Sequence, residues 1–182
     1  MLTRLGQRLA STPNAYVAVR VGIDRSDESQ PKKNFDPAYL REAVAKAGEK
    51  LKRSRIDIVL LHNPSVSVVE RGEATGTLED LRRVGEIGAW GVSAGSREVA
   101  VAALESGTHV LSIAYNLFHS QDLHVVAAEV AMRGVAVLAH SILAYGLLVA
   151  HWGPERTFNE GDNRRPRSSP TDLRTRVAQL GL

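Results

Sequence analysis

Polar residues close a series of apolar runs in this sequence. Arg20 follows Tyr16-Val17-Ala18-Val19, His62 and Asn63 follow Ile56-Asp57-Ile58-Val59-Leu60-Leu61, and Ser93 follows Ala89-Trp90-Gly91-Val92. Tyr115-Asn116 and His140-Ser141 stand at the ends of two more runs. If these runs are neighbouring strands, their ends form one rim on which a polar ligand can be held and acted upon. Arg20 suits a phosphate or carboxylate contact, or an ion pair within the rim. A lone His62 would ordinarily just hydrogen-bond backbone at its strand end. Other chemistries are excluded: the chain has no Cys, hence no thiolate nucleophile or thiolate metal site. His109, His119, His124 and His151 have no spacing with carboxylates that would define a metal site, so no metal is expected.

The elements that must position these residues follow from hydrophobic period. Leu2, Leu5 and Leu9 recur at helical spacing and end at the turn cluster Ser11-Thr12-Pro13-Asn14, before a strand over Tyr16 to Val21. Asp36-Pro37 supplies an N-cap and a first-turn proline for a helix carrying Leu40, Val44, Ala47 and Leu51 on one face. The strand Ile56 to His62 is apolar in its middle without alternation, as a strand covered on both faces requires; Asp57 near its start suits a cap or pairing role. Leu78, Leu81 and Val84 then mark a helix face, Gly85 to Gly88 a turn, and Ala89 to Ser93 a strand, in which Trp90 is a packing residue. A helix over Arg97 to Glu105, a strand over Val110 to Tyr115, a helix over Asp122 to Met132 and a strand over Val135 to His140 complete the alternation. The segment 151–170 is polar and rich in Pro and Gly, and a last helix runs from Thr171 to about Leu180.

Length and charge fit one soluble domain spanning 1–182: 182 residues, 43% hydrophobic and 24% charged. The net charge of +3 is dispersed among 20 acidic residues, and the run Arg164-Arg165-Pro166-Arg167 reads as a solvated loop, so no nucleic-acid partner is expected. No apolar run approaches the roughly 18 residues of a membrane span, and the N-terminus lacks the apolar core of a secretory signal; a cytoplasmic location is the expectation. About five strands alternating with helices imply parallel crossover units, in either an open doubly wound sheet or part of a closed barrel. The absence of Gly-x-Gly-x-x-Gly after the first strand, and the polar residues at strand ends, favour a partial (β/α)8 barrel, roughly three strands short of eight.

Four segments resemble, in order and spacing, those of the aldo-keto reductases. Ile56-Asp57-Ile58-Val59-Leu60-Leu61-His62-Asn63-Pro64 is similar to the strand ending in the family's catalytic His, and Gly85-Glu86-Ile87-Gly88-Ala89-Trp90-Gly91-Val92-Ser93 to the next strand. Tyr115-Asn116-Leu117-Phe118 and Ala139-His140-Ser141-Ile142-Leu143-Ala144-Tyr145-Gly146-Leu147-Leu148 resemble the two after it, and Gly161-Asp162-Asn163-Arg164 a motif that follows in many members. The likeness runs from Leu5-Gly6 to Leu180. It implies an NAD(P)H-dependent (β/α)8 oxidoreductase that reduces aldehydes and ketones with a Tyr, a Lys, an Asp and the His. Such a site donates a proton and stabilises the developing alkoxide as hydride reaches the carbonyl carbon.

By the same resemblance, His62 takes the His position, and Arg20 stands in the Lys position. A guanidinium is broad and essentially always protonated, so this exchange is not conservative in a proton-sharing pair. The family's Asp and Tyr belong to the two strand–loop units preceding anything here; Tyr16 and Tyr39 lie in the wrong elements to replace them. For the NADP or NAD cofactor, Ser93 keeps half of a Ser-Asn pair that contacts the nicotinamide amide, with Ala94 after it, and Ser112 stands where a Gln completes that contact. His140 takes the ring-stacking position, and Ser141 and Leu143 match positions that approach the pyrophosphate. A weakened or incomplete reductase acting on a small carbonyl substrate is therefore expected, with a catalytically inactive ligand-binding or assembly subunit as the alternative. The barrel is expected to be incomplete at both ends, and open apolar edges call for self-association or a partner chain.

Overall fold

A computed structural model of the chain describes residues 2–12, 14–27, 29–149, 153–165 and 169–181. Five strands form one parallel sheet: β1 (Ala18–Val21), β4 (Ile56–His62), β5 (Ile87–Ser93), β6 (Val110–Ala114) and β7 (Ala136–His140), in that spatial order. Each strand therefore lies beside its successor with no reversal of direction along the sheet. A doubly wound sheet reverses its strand order at a switch point, whereas a (β/α)8 barrel winds one way, so this order decides what the sequence pattern left open. The fold is α/β with the winding of a barrel sheet.

Between these strands run α2 (Pro37–Leu51), α3 (Val66–Glu70), α4 (Glu73–Arg83), α5 (Arg97–Glu105) and α6 (Gln121–Met132), with α1 (Leu2–Leu9) preceding β1. The helices contact one another in series, α1 with α2, α2 with α4, α3 with α5 and α5 with α6, forming a single layer on one face of the sheet. The core lies between that layer and Val19, Val21, Val59, Leu61, Val92 and Leu111. Leu61, Val92 and Leu111 are fully buried, each worth roughly 1.5–3 kcal/mol over exposure. Helix α2 starts where its sequence signals place it: the Asp36 carboxylate accepts from the backbone N–H groups of Ala38 and Tyr39 at 2.9 and 3.3 Å. Asp57 binds the N–H of Val17 at 2.8 Å, tying the start of β4 to the residue before β1. Trp90 is 2% exposed, and its indole N–H donates to Glu79 of α4 at 2.9 Å.

The register puts Arg20 opposite Leu60, Leu60 opposite Gly91, and Gly91 opposite Val110, all on the face away from the helices. His62, Ser93 and Ser112 pair along the next row, and Ala114 pairs with His140 beyond it. Gly91 is required by this packing, since a Cβ there would lie 2.0 Å from the Val110 carbonyl oxygen and 2.8 Å from Leu60 Cδ2. Continuous burial holds for the middle strands but not for the edges: Ala18 and Arg20 of β1, and Ala136, Val137 and Ala139 of β7, are exposed. Among the described residues, β1 pairs only with β4 and β7 only with β6.

Several sequence expectations are corrected. Val84 is 70% exposed because α4 ends at Arg83 and Val84 serves as its C-cap. Tyr115 lies beyond β6, and the first strand starts at Ala18 rather than Tyr16. The antiparallel hairpin β2 (Ile23–Asp24) and β3 (Lys32–Lys33) was not anticipated, its two-residue strands being too short and polar to show a period.

The residues divide into two compact units, 1–114 with 120–140, and 115–119 with 141–182. The second has its own small core of Ala144, Leu147, Leu173 and Val177, packed with Phe118, Leu148 and Leu180. It contains a 3-10 segment, Ala144–Val149, and α7 (Pro170–Gln179), whose N-cap Ser169 accepts from Asp172 N–H at 3.1 Å. Of the polar segment, His151, Trp152, Pro166, Arg167 and Ser168 lie outside the described residues.

Candidate active site

Arg20, His62, Ser93, Ser112 and His140, drawn from five strands, share one face and one end of the sheet. This follows from parallel pairing, which brings every strand's C-terminal end to the same side, and from alternation, which sends every second side chain to the same face. Arg20 reaches across the rows, its Nη2 donating to Ser112 Oγ at 3.3 Å. Ser93 and Ser112 are buried, at 5% and 1% exposure, whereas His62 and His140 are partly exposed.

The electrostatics of this cluster are one-sided. Burial holds the His62 imidazole below its usual value, and the charges of Arg20, Lys33 and Arg25 push it the same way. His140 is lowered by burial, then by Arg20 and by His62. Both rings are therefore neutral near pH 7. The His62 Nδ1 is buried without a hydrogen-bond partner among the described residues, a polar atom turned into the structure with its capacity unused.

Lys33, beside His62, escaped the sequence reading. Lys33 donates through Nζ to the carbonyl of Asn63, carrying a cation from the hairpin to the residue beside His62. Asn63 has a left-handed backbone, φ 50°, and its N–H binds Ser93 O at 2.9 Å. Gly95 closes against it: a Cβ at Gly95 would meet Asn63 Oδ1 at 2.0 Å. The doublet Lys32-Lys33, lying a dozen residues after a strand end, was the only available signal.

Ser93, Ala94 and Ser112, which the resemblance assigns to nicotinamide contact, are all buried. Ser93 presents a hydroxyl on the row shared with His62, but Ala94 is 6% exposed and packed in the helix-side core. Ser112 is engaged with Arg20 and is a short side chain. Ser141 and Leu143 belong to the second unit. There Ser141 has φ 56°, and its carbonyl accepts from Asn116 Nδ2 and from Ala144 N–H, both at 2.9 Å. The Leu143 carbonyl accepts from Gly146 N–H at 2.8 Å, and its side chain is 51% exposed. Asn116 also accepts from Phe118 and His119 N–H at 2.9 and 3.1 Å, so the Tyr115-Asn116 motif pins a turn. Asp162 and Arg164 form a two-pronged pair at 2.9 and 2.6 Å that lowers the carboxyl to about 2, which makes this motif internally satisfied. Among the described residues, no group of three or more acidic or His side chains could hold a metal ion, and no helix is long and apolar enough to cross a membrane.

Comparison with known proteins supplies the lineage. The model of the aldo/keto reductase family matches residues 3–179. A search of curated proteins finds no match. Among solved structures, the chain is similar to a glycerol dehydrogenase from Gluconobacter oxydans at 26% identity and a TM-score of 0.81, covering 99% of this chain and 57% of that one. The holo form of an aldo-keto reductase from Bacillus halodurans gives 22% identity and a TM-score of 0.72 over 88% of this chain and 53% of that one. An aldo/keto reductase from Klebsiella pneumoniae in complex with NADP and acetate gives 17% and 0.65 over 82% and 51%. The chain thus spans little more than half the length of these relatives, and the two at the lower identities attest the fold alone. With the family model covering nearly all of it, on a sheet wound as the family's barrel is wound, the chain belongs to the aldo/keto reductase family.

Proposed function

We propose that this chain carries part of an NADP- or NAD-dependent carbonyl-reducing site, with His62 and Arg20 addressing the substrate oxygen. The observation behind this reading is the convergence of Arg20, His62, Ser93, Ser112 and His140 on one face and end of the sheet, in a chain of this family. The residues present fit a nicotinamide in part: His140 offers a ring face and Ser93 a hydroxyl, and the unpartnered His62 Nδ1 lies on the same row. A reduced nicotinamide, when bound, supplies hydride to a carbonyl carbon. The neutral His62 contributes a hydrogen bond to the carbonyl oxygen, and Arg20 places a fixed positive charge where negative charge develops on that oxygen. Neither group is a ready proton donor at pH 7, since the imidazole is neutral and a guanidinium does not release its proton. The proton must come from a group other than these two.

A second reading, a ligand-binding or assembly subunit without turnover, is supported by Arg20 in the Lys position and by Ala94 in the core. Titration with NADPH and NADH, followed by nicotinamide fluorescence and by oxidation in the presence of a simple aldehyde, separates the two. Binding with turnover establishes the reductase reading; binding without turnover at any pH between about 6 and 9 supports the second.

A further inference from the structure

The chain does not pass directly from β1 to α2. It leaves the end of β1, forms the hairpin β2–β3, and is fastened by Tyr39 Oη donating to Ile23 O at 2.8 Å and by Asn34 N–H donating to Gly22 O at 3.1 Å. This fastening holds the hairpin at the rim end of the sheet, where Lys33 is bound to the carbonyl next to His62. Residues 23–33 carry Arg25, Lys32 and Lys33 against Asp24, Asp27 and Glu28. The Asp24 carboxylate accepts from Ser26 N–H at 2.8 Å, and that of Asp27 from the N–H and hydroxyl of Ser29 at 2.9 and 2.6 Å, so both are spent on the hairpin's own turn. Asp24 sits across from Lys32 in the ladder. Arg25, Lys33 and Arg20 take part in no ion pair among the described residues, whereas Arg82 and Arg83 of α4, Arg133 after α6, and Arg164, Arg165 and Arg174 of the second unit are each paired with a carboxylate. The charges of these three cations all reach His62.

Like charges repel, and the charges acting on the partly buried His62 imidazole are three cations with no carboxylate among them, which leaves the ring in a field of one sign. Each still has donors to spend. Arg20 gives one Nη2 contact to Ser112 and keeps its other N–H groups, and Lys33 gives one of three protons to Asn63 O. A ligand bearing anionic oxygens satisfies both the charge and the donors.

We propose that the β2–β3 hairpin and Arg20 form an anion-binding site at the rim, so that the compounds accepted there are small carbonyl compounds bearing a carboxylate or a phosphate. Arg25 and Lys33 set that preference. The inference rests on the rim receiving a carbonyl ligand, and it adds the ligand's charge class.

The test is isothermal titration at pH 7 without any nucleotide, using pyruvate, glyceraldehyde phosphate and uncharged glyceraldehyde as probes. The expected result is that pyruvate or glyceraldehyde phosphate binds more tightly than glyceraldehyde. Its affinity falls as salt rises from about 20 to about 200 mM. The double variant Arg25→Gln, Lys33→Gln weakens the charged probe about tenfold and leaves glyceraldehyde unchanged. Arg25→Gln alone, on the exposed hairpin, gives a partial loss with an unaltered melting temperature, which guards against misreading a folding defect at Lys33. Equal binding of charged and uncharged probes, or a double variant with undiminished affinity, overturns the proposal. Because the titration holds no nucleotide, it reads the anion site apart from reduction: anion binding there, with no NADPH or NADH oxidation in a separate assay with an aldehyde, would leave this site standing and remove the reductase reading. Turnover of uncharged aldehydes without anion preference would do the reverse. The tighter of the two charged probes identifies the anionic group.

Discussion

At the scale of single residues, the site is governed by which groups share the sheet face with His62. Burial and three cations disfavour the imidazolium, with burial the larger effect, so His62 is held below its usual value. Removing one cation must raise it: in Arg20→Gln the His62 value moves up toward 6.5, read as the midpoint of its imidazole resonances in an NMR titration. His140, which also senses Arg20, should move in the same direction. An unchanged or lower His62 midpoint would show that Arg20 does not face the ring. The position of His62 at a strand end was legible from the apolar run before it. Its surroundings were not, because Arg20, Lys33 and Arg25 are remote from it in sequence and reach it only through strand pairing and the hairpin.

Elements are where packing sets the geometry of the rim. Gly91 lets β5 lie against β6 and Leu60; Gly91→Ala drives a methyl into the Val110 carbonyl, which cannot rotate away, and should cost at least about 2 kcal/mol in urea unfolding. A cost under about 0.5 kcal/mol would mean that the sheet yields more easily than its register suggests. Glu79 of α4 binds Arg82 through both carboxylate oxygens and also receives the Trp90 indole N–H, which brings its carboxyl from 4.5 to about 2. A carboxyl lowered by folding stabilises fully above its unfolded value, and that contribution is lost as pH falls from about 4.5 to about 2. Glu79→Gln should therefore flatten the acid side of the stability profile in that window, as seen by melting temperature against pH, with little change in its slope above pH 5. Helix starts and the middle strands were readable from sequence because capping residues and doubly covered strands leave local signatures. Val84 and the hairpin were not: one is a cap that mimics a core position, the other lacks any period.

For the whole molecule, the sheet's two edges are the physical issue. Among the described residues β1 and β7 pair on one side only and carry exposed positions, which makes these strands templates for pairing with another chain. The expected behaviour is association, visible as a mass above 19.7 kDa in sedimentation velocity at micromolar concentration. A monodisperse monomer would require the edges to be tolerated in water and would remove the assembly reading. Substitution of Val137 by Lys on the exposed β7 should shift the distribution toward monomer, since an edge charge opposes pairing.

The amino-acid sequence by itself determined the alternation of helices and strands, the strand ends that carry Arg20, His62, Ser93 and His140, and the family resemblance that singled out Ser112, because each depends on residues close together in the chain. Only the tertiary structure decided that the sheet winds in one direction, that Arg20 spends a donor on Ser112, and that a hairpin returns Lys33 to the carbonyl beside His62. These are contacts between residues as many as 92 positions apart, set by strand register and loop closure, and no local pattern in the sequence encodes them.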